Sequence, residues 1–146
     1  LGIDIDGRAS VVNTAGNPAQ QLILRGGSSG PNYDADSVAS ATALLEIAGL
    51  RPNVVIDCSH ANSNKDHNRQ PVVFRNTLSQ RVNGNDGVIG LMLESHINEG
   101  NQALENDPSD LKYGVSITDA CINWDTTEEL LREAHATLSK KTGALT

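Results

Sequence analysis

The chain has two cysteines, Cys58 and Cys121, too few and too unlike a spacing framework for a disulfide scaffold, and neither belongs to a Cys-x-x-Cys pair. A small secreted disulfide domain is excluded, and a reducing cytoplasm is the expected location. No stretch approaches the ~18 apolar residues of a membrane span, and no basic segment followed by a short apolar core opens the chain. Neither secretion nor membrane insertion is expected. Basic residues are also scarce, 11 against 18 acidic ones for a formal charge of −7, and no cluster of lysines offsets that field. Nucleic acid is therefore not an expected partner, and any anion bound must be small and gripped locally. An initiator methionine is missing too. Leu1-Gly2-Ile3 reads as a strand already under way, so the chain is expected to be a piece of a longer protein.

What is present suits one folded domain. A chain of 146 residues buries roughly two-thirds of the surface it exposes unfolded. Residues 1–5 and 8–13 alternate apolar and polar positions around Asp6-Gly7, which predicts a β-hairpin with a two-residue turn. Residues 21–24 form an apolar strand ending at Arg25-Gly26-Gly27. A loop follows, and then a helix capped by Asp34 or Ser37, with Val38, Ala41, Leu45 and Ala48 at helical spacing and Gly49 as its stop.

The same cycle recurs twice. Val54-Val55-Ile56 is a continuous apolar run of the kind a strand buried on both faces shows. Polar residues 59–65 follow, then a helix from Pro71 to Val82 ended by Gly84. Residues 88–93 predict the next strand, ending at Glu94. After a long loop comes a last helix, capped by Thr126 or Thr127 and running through Leu130, Leu131, Ala134 and Leu138. Alternating strands and helices imply an α/β class with a parallel sheet and right-handed crossovers. Three β-α units cannot close a barrel, which needs about 250 residues when complete, and alone they would leave an unpaired edge.

The polar residues of interest sit just after each strand: Arg25, His60 and Glu94, where an α/β barrel builds its active site. Each has an ordinary alternative. Arg25 is either a surface loop arginine or an anion clamp formed with the backbone amides of Gly26 and Gly27. His60 is either a loop histidine satisfied by Ser59 or Asn62, or a ligand. Glu94 could be a solvated strand end and Asp119 a turn former. If they converge, one imidazole and two carboxylates make a mixed N/O site for a divalent cation such as Mn²⁺, Fe²⁺ or Zn²⁺. Such an ion polarises a carbonyl while an arginine holds a phosphate.

The segments Asp57-Cys58-Ser59-His60-Ala61-Asn62-Ser63-Asn64-Lys65, Glu94-Ser95-His96, Glu99-Gly100-Asn101-Gln102, Tyr113-Gly114 and Ser116-Ile117-Thr118-Asp119-Ala120-Cys121 resemble, in order and spacing, successive motifs of the type I 3-deoxy-D-arabino-heptulosonate-7-phosphate (DAHP) synthases. Leu24-Arg25-Gly26-Gly27, preceded by Asn13-Thr14 and Gly16-Asn17, resembles another. The resemblance covers essentially the whole chain. It implies the C-terminal part of a (β/α)8 barrel, with residues 1–20 as hairpin and loop and residues 21–146 as the last three β-α units.

The activity implied is condensation of phosphoenolpyruvate with erythrose 4-phosphate to DAHP and phosphate, the first step of the shikimate pathway, in an enzyme expected to be homo-oligomeric. The resemblance assigns His60, Glu94 and Asp119 as ligands of a divalent metal, Mn²⁺ or Fe²⁺ foremost, and Arg25 as a contact of the phosphoenolpyruvate phosphate. His96 resembles an active-site neighbour. The family's metal-binding cysteine and the lysine and further arginines that grip phosphoenolpyruvate belong to earlier strands, outside this chain; Cys58 and Cys121 do not match that cysteine's motif. Val115, Asn123 and Pro71 depart from the family pattern, Pro71 by interrupting a helix that usually starts earlier. The chain alone is therefore expected to be inactive. The competing reading is a non-catalytic remnant or truncated paralogue that only associates with other chains.

Overall fold

The computed structural model describes residues 1–104 and 107–143, the last three as backbone alone; residues 105–106 and 144–146 of the expected third unit lie outside the described residues. Two short antiparallel strands come first, β1 (Gly2–Ile3) and β2 (Ala9–Ser10), with Gly2 opposite Ser10 and Ile3 opposite Ala9. The turn differs from the two-residue one expected. Asp4 faces Arg8, leaving a three-residue loop in which Gly7 N–H donates to the Asp4 carbonyl at 3.0 Å and Gly7 takes a φ of 80°. The cause is the Asp4 carboxylate, which accepts from the amides of Asp6 and Arg8 at 3.0 and 2.9 Å and so starts the turn two residues early.

A second sheet has three parallel strands in sequential order: β3 (Leu22–Leu24), β4 (Val54–Asp57) and β5 (Val88–Met92). Helix α1 (Ala35–Ile47) joins β3 to β4, α2 (Gln70–Val82) joins β4 to β5, and α3 (Trp124–Gly143) follows β5. Because the strand order never reverses, right-handed crossovers put the connecting helices on one face of the sheet. The core lies between: Val54 and Ile56 of β4 are fully buried with Val38, Val73 and Leu130 from the three helices.

This corrects the expectation that Val54-Val55-Ile56 is covered on both faces. Val55 is only half-buried, level with the 44%-exposed Ile23 on one side and Gly90 on the other. Alternate residues of a strand face opposite ways, so the face carrying Ile23 and Val55 is the one without helices.

Local signals explain most boundaries. Asp34 caps α1, accepting from the Ser37 amide at 2.9 Å and the Ser37 hydroxyl at 2.7 Å. At the other end Gly49, with φ of 70°, lets the Gly49 and Leu50 amides each reach back at 2.9 Å to the carbonyls of Glu46 and Leu45. Pro71 sits in the first turn of α2, where its missing N–H has no intrahelical partner to lose, and a separate 3₁₀ turn, His67–Arg69, precedes the helix. The interruption at Pro71 is thus a change of helix type. The last helix starts earlier than expected, because Asn123 rather than Thr126 or Thr127 caps it: its Oδ1 accepts from the Thr126 amide at 2.8 Å. Among the described residues no helix is long and apolar enough to cross a membrane.

Candidate metal centre

The loop after β4 carries the first ligand candidate. His60 has a φ of 50°, a left-handed conformation unusual for a residue with a side chain, and its carbonyl is held by Lys65 N–H at 2.7 Å and the Ser63 hydroxyl at 3.2 Å. These bonds aim the imidazole back at the strand end. Its Nδ1 lies 2.7 Å from Oδ2 of the buried Asp57. A carboxylate only accepts, so Nδ1 carries the proton in this contact, and in the neutral ring the lone pair is on Nε2. The other Asp57 oxygen accepts from the amide and hydroxyl of Ser59, both at 2.9 Å. A buried carboxylate thereby fixes both the ring's orientation and its tautomer, the arrangement that raises the basicity of a metal-binding imidazole.

Nε2 points at Glu94, whose Oε1 is 3.6 Å away. Glu94 stands two residues beyond the end of β5. Its backbone is still in register with its surroundings: the Glu94 carbonyl accepts from Ile122 N–H at 3.0 Å, and the next residues continue the pairing as His96 N–H donates to the Ile122 carbonyl at 2.9 Å. That pairing folds the segment before α3 back against the end of β5. Gly100 and Cys121 exchange backbone bonds at 2.9 and 3.1 Å, and Asn101 Nδ2 donates to the Thr118 carbonyl at 2.9 Å. Asp119 is thus brought to the same rim. One ligand atom from each of His60, Glu94 and Asp119 lies within 4.8 Å of the others. Two carboxylates and an imidazole with a free Nε2 are a donor set suited to a borderline divalent cation.

These residues line a pocket of about 260 Å³, with Lys65 and His67 adding basic groups on its wall. Arg25 directly follows β3 and its carbonyl accepts from Asn62 N–H at 3.2 Å, so the backbone at Arg25 touches the His60 loop. The guanidinium is exposed, and Arg25 is not among the residues lining the pocket. A clamp with the following amides is contradicted by their partners: Gly26 N–H donates to Asn32 Oδ1 at 2.7 Å and Gly27 N–H to the Gly30 carbonyl at 3.0 Å. His96 is exposed, its Nδ1 accepting from the amide of Ile97 at 2.8 Å. Neither cysteine joins the cluster. Burial, then the neighbouring Asp57 charge, pushes the Cys58 thiol up to about 12, and burial is also the main cause raising Cys121.

Three residues support the site in roles the sequence does not announce, although Asp57 and Asn62 lie in a segment that resembles a family motif. Asp57 ends a strand and reads as a boundary. Asn62, fully buried, donates through Nδ2 to the carbonyls of Leu24 and Asp57 at 3.0 and 2.8 Å and accepts from Asn32 N–H at 2.8 Å, tying together the ends of β3 and β4. Gln70, also fully buried, reaches Glu94. Gly26 is required by this packing: a Cβ there would meet the Ala61 Cβ at 2.7 Å and its carbonyl carbon at 2.9 Å, and φ is 76°.

The DAHP synthetase I family matches residues 5–132. The phospho-2-dehydro-3-deoxyheptonate aldolase, Tyr-sensitive, of Enterobacter agglomerans is 54% identical over 138 residues, 94% of this chain and 64% of the relative. The Tyr-sensitive enzyme of Escherichia coli is 50% identical over 139 residues, 95% of this chain and 39% of the relative. Among solved structures, the phospho-2-dehydro-3-deoxyheptonate aldolase of Francisella tularensis superposes with a TM-score of 0.83 at 36% identity, covering 95% of this chain and 40% of that one. The chain therefore spans between 39% and 64% of the length of these curated relatives.

Proposed function

Because the chain belongs to the DAHP synthetase I family, we propose that it is the C-terminal part of a metal-dependent enzyme condensing phosphoenolpyruvate with erythrose 4-phosphate to DAHP and phosphate. The observation that carries this reading is the convergence of His60, Glu94 and Asp119 within 4.8 Å. A divalent cation held by them, Mn²⁺ or Fe²⁺ foremost, supplies a Lewis acid for the aldehyde of erythrose 4-phosphate. The chain's own residues do the rest of the local work. Asp57 keeps the His60 proton on Nδ1, Glu94 and Asp119 bring negative charge to the rim, and Arg25 is assigned to the phosphate of phosphoenolpyruvate on the strength of its motif.

The sheet supports a (β/α)8 barrel for the whole protein. Its helices cover one face, its strand order never reverses, and the uncovered face carries Ile23 and Val55, which barrel closure would enclose. We place the enzyme in the cytoplasm, consistent with free thiols at Cys58 and Cys121, and expect it to assemble from like chains.

A phosphate-release assay with both substrates and Mn²⁺ tests the reading on two proteins, this chain and a version extended at its N-terminus with the remaining barrel strands. The extended protein is expected to turn over, this chain is not, and His60→Ala, Glu94→Gln and Asp119→Asn are each expected to abolish turnover. Activity that survives His60→Ala removes the assignment.

A further inference from the structure

Gln70 is the first residue of α2, yet its side chain is 0% exposed. Both ends of its amide bond one residue: Nε2 donates to the Glu94 carbonyl at 3.1 Å, and Oε1 accepts from the Glu94 amide at 2.9 Å. One donor and one acceptor on a single backbone residue is what a neighbouring strand offers, here supplied by a side chain where β5 has already ended. Glu94 needs such a hold. Its carboxylate is half-buried, and the neighbouring His60 Nε2, 3.6 Å away with its lone pair toward the carboxylate, gives it no hydrogen bond. The direction of the side chain is therefore set chiefly by its backbone. An apolar residue at position 70 could fill the same volume without burying an amide, at the expense of leaving Glu94 N–H unpaired.

Resting on the metal reading above, we propose that Gln70 is a positioning residue for the metal centre: its amide fixes the Glu94 backbone and thereby the separation of the Glu94 carboxylate from His60 and Asp119. The partners behind metal ligands change metal affinity by about 10- to 100-fold when removed, which is the effect expected here. A role confined to stability would lower the melting temperature and leave the geometry of bound metal unchanged.

The test uses the N-terminally extended protein described above, with Mn²⁺ titrated by electron paramagnetic resonance and Co²⁺ as a visible-spectrum probe of ligand geometry. Gln70→Met removes both bonds at similar volume; Gln70→Asn keeps an amide one methylene short and carries the test if the first variant does not fold. Thr77→Val is the control, since buried Thr77 lies on the same helix and bonds only its own Val73 carbonyl, at 2.9 Å. Both Gln70 variants should weaken Mn²⁺ binding about 10- to 100-fold and shift the Co²⁺ bands, while Thr77→Val loses thermal stability with metal binding intact. Wild-type affinity and spectra in the Gln70 variants would overturn the proposal, as would an equal loss of affinity in Thr77→Val. If the wild-type extended protein binds no Mn²⁺, or its Glu94→Gln variant binds it as well as wild type, the metal reading itself falls, and this proposal with it.

Discussion

Two adjoining regions of the molecule treat polarity in opposite ways. At the rim where β4 and β5 end, Asp57, Ser59, Asn62, Ser63 and Gln70 are buried. On the hairpin and the open face of the sheet, Ile3, Ile5, Val11 and Ile23 are exposed. The buried polar residues are stable there because each finds partners inside the chain; both bonds of Gln70 and two of the three of Asn62 span 24 to 38 residues. The exposed apolar residues find few. A rim whose polar groups are satisfied within the chain, beside a face whose apolar groups stay exposed, teaches that burial here follows the partners a residue finds rather than its polarity.

The largest effect should come from breaking the rim. Asn62→Ala leaves the Leu24 and Asp57 carbonyls and the Asn32 amide without their partner. At about 1–3 kcal/mol for each buried group left unsatisfied, the loss should be about 3 kcal/mol or more in urea unfolding. A loss under about 1 kcal/mol would show that water replaces these bonds and that the rim is less closed than its burial suggests.

Gly26→Ala should follow, at about 2–3 kcal/mol, because it combines a left-handed backbone with contacts to Ala61 that no side-chain rotation relieves. Thermal unfolding measures it. A near-neutral result would mean that the β3 and His60 loops separate easily.

Asp34→Ala tests an exposed polar contact outside the rim and should remove about 1 kcal/mol. Its pH dependence has a fixed sign. Hydrogen bonds from the Ser37 side chain first, then its amide, hold the Asp34 carboxyl below its ordinary 3.8. The folded state therefore binds this proton less readily than the unfolded one. The contribution is present above about 3.8 and fades as pH falls through the lower folded value. Wild type and variant should converge in stability at strongly acid pH.

The smallest effect is expected at Ile23→Thr, within about 0.5 kcal/mol in this chain because the side chain is already largely in water. In a protein that includes the remaining strands the same substitution should cost about 2 kcal/mol or more, as apolar burial there is completed. Equal small effects in both would refute the idea that further chain covers this face.

Much of this was legible before any coordinates. Short apolar runs located β3, β4 and β5, apolar spacing and caps located the three helices, and the shared position of His60 and Glu94 just past their strands pointed to one rim. Where reading failed, a side chain had competed with the backbone pattern. Asp4 started the hairpin turn before Asp6-Gly7, Asn123 capped α3 ahead of Thr126, and Asn32 occupied the Gly26 amide intended for an anion. Gln70, and the bridging role of Asn62, were invisible for a different reason: Gln70's partner and two of Asn62's lie 24 to 38 residues away, and no local pattern marks a polar residue that will be buried by such a partner.

The long reach of Asn62 also bears on the order of folding. Its three side-chain bonds join segments near residues 24, 32 and 57; the one to Asp57 is local, but the set cannot be complete until β3 has found β4. Long-range contacts of this kind are expected to close after the transition state has gathered the strands. Removing them should leave the folding rate nearly unchanged and raise the unfolding rate, so that Asn62 works as a latch on the assembled rim and governs how long it stays shut.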